Sequence, residues 1–302
     1  MAKAIFTTRI SPSYDDLPEI HYHYPKQYLG RVEGALDDWI IYYEPSRTGG
    51  DFSHRSGRMA YFATARVVEI RRDAKRPNHF YADVADYMEF DRPVPFREGT
   101  HFYESALRKA GGQTATGVFQ NAVRNLPDEE YDQIVRAGFA TVLEKRNIEK
   151  EGLRLPDLME EQAEFERPII EQITKRPFRD IAFAHKVRAA YNSTCAMTGL
   201  KLINGSGRCE MEAAHIRPVG GGHNGPDSIR NGLALSRTAH WMFDRGLLSV
   251  TDDFEILVAD KLVPDSARQL LNRDHRIILP DEIISQPHRR FLEYHRESIF
   301  KG

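Results

Sequence analysis

Three consecutive stretches decide how the carboxy-terminal part of this chain folds: Glu212-Ala-Ala-His-Ile-Arg-Pro218, Asn224-Gly-Pro-Asp-Ser-Ile-Arg-Asn231, and Gly232-Leu-Ala-Leu-Ser-Arg-Thr-Ala-His240-Trp-Met-Phe-Asp244-Arg-Gly246. His215 sits in a short apolar run that Pro218 ends, because proline has no N–H to give a ladder. A glycine-rich loop then leads to Asn231, which opens a second apolar run, Gly232 to Leu235. Ser236 is a good helix N-cap, and Gly246 is placed to end that helix in the left-handed region. His240 and Asp244 are four apart, so they share one helix face. The pattern predicts strand, loop, strand and helix, with one histidine on the first strand and an imidazole–carboxylate pair on the helix.

Such residues suit phosphodiester hydrolysis, which needs a base for the attacking water and a cation beside the leaving oxygen. A neutral imidazole, with an ordinary pKa near ~6.5, suits the first task. Imidazole and carboxylate together suit a divalent metal. An asparagine carboxamide can orient the histidine ring or cap the loop around it. Arg208, Arg217, Arg230, Arg237 and Arg245 surround the motif. The arginine fork matches phosphate, and Arg217, Arg237 and Arg245 are the candidates for contacts along a DNA backbone.

On these residues, segment 190–260 resembles the HNH, or ββα-metal, nuclease family. The resemblance implies that His215 is the general base, Asn231 the central asparagine and His240 the last metal-binding histidine. It also implies one divalent metal, Mg²⁺ or Mn²⁺. The entry Tyr191-Asn-Ser-Thr-Cys-Ala-Met-Thr-Gly199 is similar to that of such domains in restriction enzymes. The sequence departs from the family at Ala214, where an aspartate or histidine ligand usually precedes the base. Glu212 and Asp244 are the candidate substitutes. Glu212 is two residues from Ala214 and shares its face on a regular strand.

Further towards the amino terminus the patterning changes. Trp39-Ile-Ile-Tyr-Tyr43, Met59 to Ile70 and His79 to Asp86 read as strands, the last followed by Pro93-Val-Pro95; turn signals such as Ser-Arg-Thr-Gly-Gly at 46–50 separate them. Short strands at this spacing predict a small, strongly curved sheet or barrel. From Thr116 to Tyr191 the pattern turns helical. Pro127-Asp-Glu-Glu opens one helix with acidic residues in its first turn. Pro156 to Lys175 reads as a connector of helical pieces. A helix over Arg179 to Tyr191 carries Ile181, Ala182, Ala184, Val187 and Ala190 on its apolar face.

Within the first region, Trp39-Ile-Ile-Tyr-Tyr-Glu-Pro-Ser46 and Gly57-Arg-Met-Ala-Tyr-Phe-Ala-Thr-Ala-Arg-Val67 are similar to the EVE branch of PUA-like domains, small β-barrels that bind modified bases. Aromatic walls suit a base flipped from the duplex. Among the concentrated aromatics, Tyr24, Trp39, Tyr42 and Tyr43 are the candidate pocket residues. The combination resembles EVE-HNH endonucleases, which cut DNA carrying 5-methylcytosine or 5-hydroxymethylcytosine. The expected class is therefore α+β: an EVE/PUA-like reader at 1–115, a helical connector at 116–178 and an HNH endonuclease domain at 179–302. Two other functions stay open, a non-catalytic reader of modified nucleic acid with a degenerate HNH fold, and an HNH endonuclease indifferent to modification.

Bulk properties describe an ordinary soluble globular chain and by themselves leave function open. The chain has 302 residues, 41% hydrophobic and 28% charged, enough for two cores. A net charge of −2 argues against coating nucleic acid by charge alone, although phosphate contacts depend on local charge. No apolar run approaches the ~18 residues of a membrane helix. The start, Met1-Ala-Lys-Ala-Ile-Phe6, lacks a signal-peptide core, so a cytoplasmic protein is expected. With Cys195 and Cys209 alone, neither a disulfide framework nor a four-thiolate structural zinc is expected. The expected partner is double-stranded DNA with modified cytosine, and a homodimer would serve double-strand cutting.

Overall fold

In a computed structural model of the chain, the described residues are 2–8, 15–45, 59–144, 173–205, 207 and 209–302. The turn at 46–50, Arg208 and all but the last three residues of the proposed Pro156–Lys175 connector lie outside them. Two compact units divide the chain, Met1–Arg179 and Asp180–Gly302.

The first unit is built on a six-stranded sheet. Its strands are β1 (Ala4–Thr7), β2 (His21–Pro25), β3 (Trp39–Glu44), β4 (Ala60–Arg72), β5 (His79–Pro95) and β8 (Val123–Asn125), in the order β2-β5-β4-β3-β1-β8. The two-residue strands β6 (Arg97–Glu98) and β7 (His101–Phe102) pair separately. β1 and β3 run parallel, and the other neighbours are antiparallel. β3 is buried along its whole length, as expected of an apolar run at the middle of a covered sheet. β4 and β5 are long and slip register at Tyr61/Ala63, Thr64/Arg66 and Val67/Glu69. Such bulges bend and twist a strand, which curls the sheet.

The curl stops short of a closed barrel. Among the described residues no ladder joins β2 to β8, although the Tyr22 hydroxyl, on β2, donates to the Thr7 carbonyl on β1 at 3.1 Å. The sheet is an open half-barrel. Two further differences from the sequence pattern matter. His79–Asp86 and Pro93–Pro95 form one strand, because the prolines stand near its far end. Val123–Asn125, read as helical, pairs with β1, since three residues flanked by Asn121 and Pro127 are too few for a helix. Helix α1 (Leu29–Gly34) covers the sheet with Val32, and α2 (Asp128–Gly138) buries Tyr131, Ile134 and Val135. Tyr131 shares a 2.7 Å hydrogen bond with Thr64 of β4.

A buried ion pair secures the β8 edge. Arg124 donates to both Glu104 oxygens at 2.8 Å, and Tyr61 donates to Oε1 at 2.7 Å. The Arg124 guanidinium lies over the Tyr43 ring, 5.4 Å from its centroid. Both charges are almost wholly withdrawn from water, so neither can lose its partner cheaply.

The second unit takes up α3 (Arg176–Ala190) from Asp180 onward, where its buried face is Phe183 and Val187, with Tyr191 following. Ile181, assigned to the apolar face, is instead exposed. The four-residue spacing of 183, 187 and 191 sets the buried stripe. β9 (Glu212–His215) and β10 (Gly232–Leu235) pair antiparallel, with His215 opposite Gly232. Helix α4 (Arg237–Asp244) follows directly. Ser236 takes the N-cap position without a side-chain cap bond. Gly246 ends the helix at φ 71°, where a Cβ would also collide with the Ile299 carbonyl. The hairpin β11 (Leu248–Val250) and β12 (Ile256–Val258), the short α5 (Asp265–Arg268) and α6 (Arg289–Ser298) complete the unit.

α6 carries a buried histidine that must stay neutral. His295 stacks on Phe243 with ring centroids 3.8 Å apart. Its Nε2–H donates to the Phe243 carbonyl at 3.3 Å, leaving Nδ1 to accept from the Ser249 hydroxyl at 2.9 Å. Burial pushes its pKa down to about 4. At the start of α6, burial and the nearby Arg230 and Arg290 lower His288 to about 4 as well, and its Nδ1 accepts from the Arg290 N–H.

Two stability predictions follow from these groups. Glu104→Gln, which strands a buried guanidinium, should cost about 3 kcal/mol or more in denaturant unfolding; a loss under about 1 kcal/mol would count against the pair's role. The unfolded chain protonates before the folded one at His288 and His295. Their contribution is therefore complete above about pH 6.5 and fades as pH falls towards 4. For His295 it is on the order of 3 kcal/mol. Unfolding curves between pH 7 and 4.5 should show this slope, and His295→Gln should flatten it.

Candidate functional site

The sequence residues proposed for catalysis come together around β9, β10 and α4. β9 is short because the chain must leave it at Ile216 to form the loop that returns at Asn231. Asn231 shapes that loop. Fully buried, it accepts from the Arg217 N–H at 2.8 Å and donates through Nδ2 to the Arg217 and Pro226 carbonyls at 3.0 and 2.9 Å. Its carboxamide therefore holds backbone, and does not touch the His215 ring.

His215 is held by other groups. Its Nε2 lies 2.8 Å from Oδ1 of Asp227, a carboxylate only 2% exposed. Its ring stacks on Phe183 of α3, with centroids 3.8 Å apart and planes within 10°. Gly232, opposite His215 on β10, makes this stacking geometrically attainable. A Cβ there would lie 2.6 Å from Val187 and 3.1 Å from Phe183. Asp227 and Phe183 did not stand out in the sequence. The aspartate lies in Gly225-Pro-Asp-Ser228, which reads as an ordinary turn, and the phenylalanine in a run that reads as core.

A second station forms at the other end of β9. His240 Nδ1 is 2.9 Å from Glu212 Oε2, and its Nε2 is 3.3 Å from Asp244 Oδ2. Hydrogen bonding to Asp244 raises the His240 pKa above its ordinary value; burial opposes this, and Glu212 adds to it. Glu212 also pairs with Arg237 at 3.2 Å. Ala214 is buried, so the usual ligand position faces the core, while Glu212 on the same strand reaches His240. Glu212 and His215 are three residues apart, roughly 10 Å along a strand. The two histidines share no carboxylate: His215 meets Asp227, and His240 meets Glu212 and Asp244.

The donors fit a divalent cation. Either ring nitrogen of His240, once free of its proton, makes a two-donor site with the carboxylate beside it, Nε2 with Asp244 or Nδ1 with Glu212. Carboxylate oxygens suit hard divalent ions, which keep several waters or phosphate oxygens, and imidazole suits a divalent transition metal. The side chains of His240, Glu212 and Asp244 are 22%, 40% and 54% exposed, which leaves room for those further ligands. Among the described residues no three such side chains converge on one point.

The arginines divide. Arg217 is engaged internally, donating from Nε to the His223 carbonyl at 2.5 Å, with its guanidinium 4.4 Å from the Tyr294 ring centroid. Arg237 and Arg245 are exposed on α4, and with Trp241, 58% exposed, they repeat every four residues along one face. Arg245 lies over the Trp241 ring at 5.9 Å. The sequence reading passed over Trp241 because aromatic residues on helices are usually buried.

The four proposed pocket aromatics do not line one cavity. All four are buried. Tyr24 and Tyr42 join the core of the curled sheet with Phe6, Tyr22 and Phe80, whereas Tyr43 packs against Tyr61 and Phe119. Adjacent strand residues point to opposite faces, which separates Tyr42 from Tyr43 and groups Trp39 with Tyr43 by alternation.

Residues 195–251 match the family model described as HNH endonuclease. The second unit carries an HNH endonuclease domain. That span holds His215, Asp227, Asn231, Glu212, His240 and Asp244, so both stations belong to the HNH domain. Among solved structures the chain is similar to a modification dependent TagI restriction endonuclease, at 16% identity and a TM-score of 0.33 over 98% of this chain and 81% of that one. A likeness that distant transfers neither fold nor activity. No curated protein matches the chain. No described helix is long and apolar enough to cross a membrane.

Asn231→Ala should act on stability before chemistry. Losing three hydrogen bonds at a fully buried site should cost about 2–4 kcal/mol, read as a lowered unfolding midpoint. An unchanged midpoint would show that the loop does not depend on this carboxamide.

Proposed function

We propose that this protein is a metal-dependent DNA endonuclease whose HNH domain cuts near a modified cytosine, 5-methylcytosine or 5-hydroxymethylcytosine, read by the amino-terminal unit. One observation carries the nuclease reading: within the segment that matches the HNH family, His215 and His240 are each oriented by a carboxylate at opposite ends of one strand.

In this mechanism His215 accepts a proton at Nδ1, the ring nitrogen not engaged by Asp227, as a water oxygen bonds to phosphorus. The bond from phosphorus to the 3′ oxygen breaks, and that oxygen leaves and takes a proton from solvent. The products are a 5′-phosphate and a 3′-hydroxyl. His240, with Asp244 or Glu212, would hold the divalent ion, which when bound supplies positive charge beside the leaving oxygen. Arg237 and Arg245 grip the DNA backbone, and Asn231 keeps the loop in shape.

Support for the modification reader comes from the amino-terminal resemblance to EVE domains and from the curled, aromatic-rich sheet that residues 1–115 contribute. Extruding a base costs a few kcal/mol, which contacts to a modified base must offset. Double-strand cutting calls for a homodimer or for successive nicks.

The test is cleavage of one plasmid in cytosine-methylated, hydroxymethylated and unmodified forms, with Mg²⁺ or Mn²⁺. Cutting restricted to a modified form is expected. Equal cutting of all three would remove the reader and leave the nuclease, and no cutting of any would overturn the nuclease reading. His215→Ala should abolish cleavage and leave DNA affinity within about threefold; lost binding would remove its role as base.

A further inference from the structure

We infer that Asp227 is the positioning residue for the general base His215, selecting the ring tautomer that leaves Nδ1 free to take a proton. This rests on the endonuclease reading above and adds to it a residue outside the H-N-H set.

The geometry leads there in three steps. An ionised carboxylate only accepts hydrogen bonds, so the 2.8 Å contact between Asp227 Oδ1 and His215 Nε2 requires a proton on Nε2. In a neutral ring Nδ1 then carries the lone pair, and that is the atom a general base needs. Phe183, stacked at 3.8 Å with its plane within 10° of the imidazole, sets the ring plane, while Asp227 sets its rotation within that plane. The partner is also well protected. The Asp227 side chain is 2% exposed against 15% for His215, so water competes little for the carboxylate.

The fold supplies Asp227 through the loop that Asn231 ties. Asn231 binds the carbonyl of Pro226, the residue directly before Asp227, and both backbone groups of Arg217, two residues beyond His215. The same carboxamide therefore fixes the chain beside the base and beside its partner. Asn231 acts on His215 indirectly, by placing Asp227.

The experiment combines kinetics with the tautomer itself. The full chain is labelled with ¹⁵N-histidine, and long-range ¹H–¹⁵N correlations give each ring's protonated nitrogen, with His215 assigned by its loss in His215→Gln. Wild type should show His215 protonated at Nε2. Asp227→Ala should lower kcat about 10²-fold with KM and DNA affinity within about threefold, and shift His215 towards a mixture of tautomers. Asp227→Asn keeps an oxygen that accepts from Nε2–H, so it should recover part of the lost rate. A wild-type spectrum with the proton on Nδ1 overturns the inference, even where Asp227→Ala does not fold. A folded Asp227→Ala cutting at the wild-type rate overturns it as well. A wild type that cuts no DNA form fails the endonuclease reading instead, and the spectrum still tests the pairing.

Discussion

The buried carboxamide of Asn231 is the constraint on which the nuclease unit depends. Three hydrogen bonds to backbone at 217 and 226 close a loop that would otherwise be free to open. Closing it lets β9 and β10 pair with His215 opposite Gly232 and brings Asp227 against the ring. Buried amide groups left unpaired would cost more than the bonds gain, so the loop has one conformation or none. The placement of His215 beside Asp227 and the local stability of the loop thus share one side chain.

Charge is distributed along the same short strand. At one end a shielded aspartate holds the His215 ring; at the other, two half-exposed carboxylates hold a histidine whose pKa they raise. The difference in exposure separates the roles. A withdrawn carboxylate can only orient its partner, while an open one can exchange it for a cation. Helix α4 joins the two themes: His240 meets both Glu212 of β9 and Asp244, Arg237 also reaches Glu212, and Trp241 faces water.

The first unit solves a different problem. Its aromatic residues form the core of a bent sheet, and a deeply buried ion pair, Arg124 with Glu104, fastens the edge strand. Most of the described aromatic residues of this unit are buried in the open half-barrel that α1 and α2 cover. Pocket residues cannot be chosen by aromatic content where most of that content is structural.

The strand–loop–strand–helix order of the HNH segment is legible in the sequence, because Pro218 and Gly246 act through local backbone chemistry. So are β3, β4 and α2, whose composition and first-turn charges are local signals. His215, Asn231 and His240 stand out through the resemblance of their segment to the HNH family. Only the tertiary structure decided that Asn231 binds the loop and not the ring, that Glu212 and Asp244 take opposite nitrogens of His240, and that Asp227 and Phe183 hold His215. It alone left the sheet open and split Tyr42 from Tyr43. The reason is range: caps, turns and periodicity are settled within a few residues. Partners 12 residues apart, as His215 and Asp227 are, or 32 apart, as Phe183 and His215 are, meet only once the loop has closed and the helix has packed.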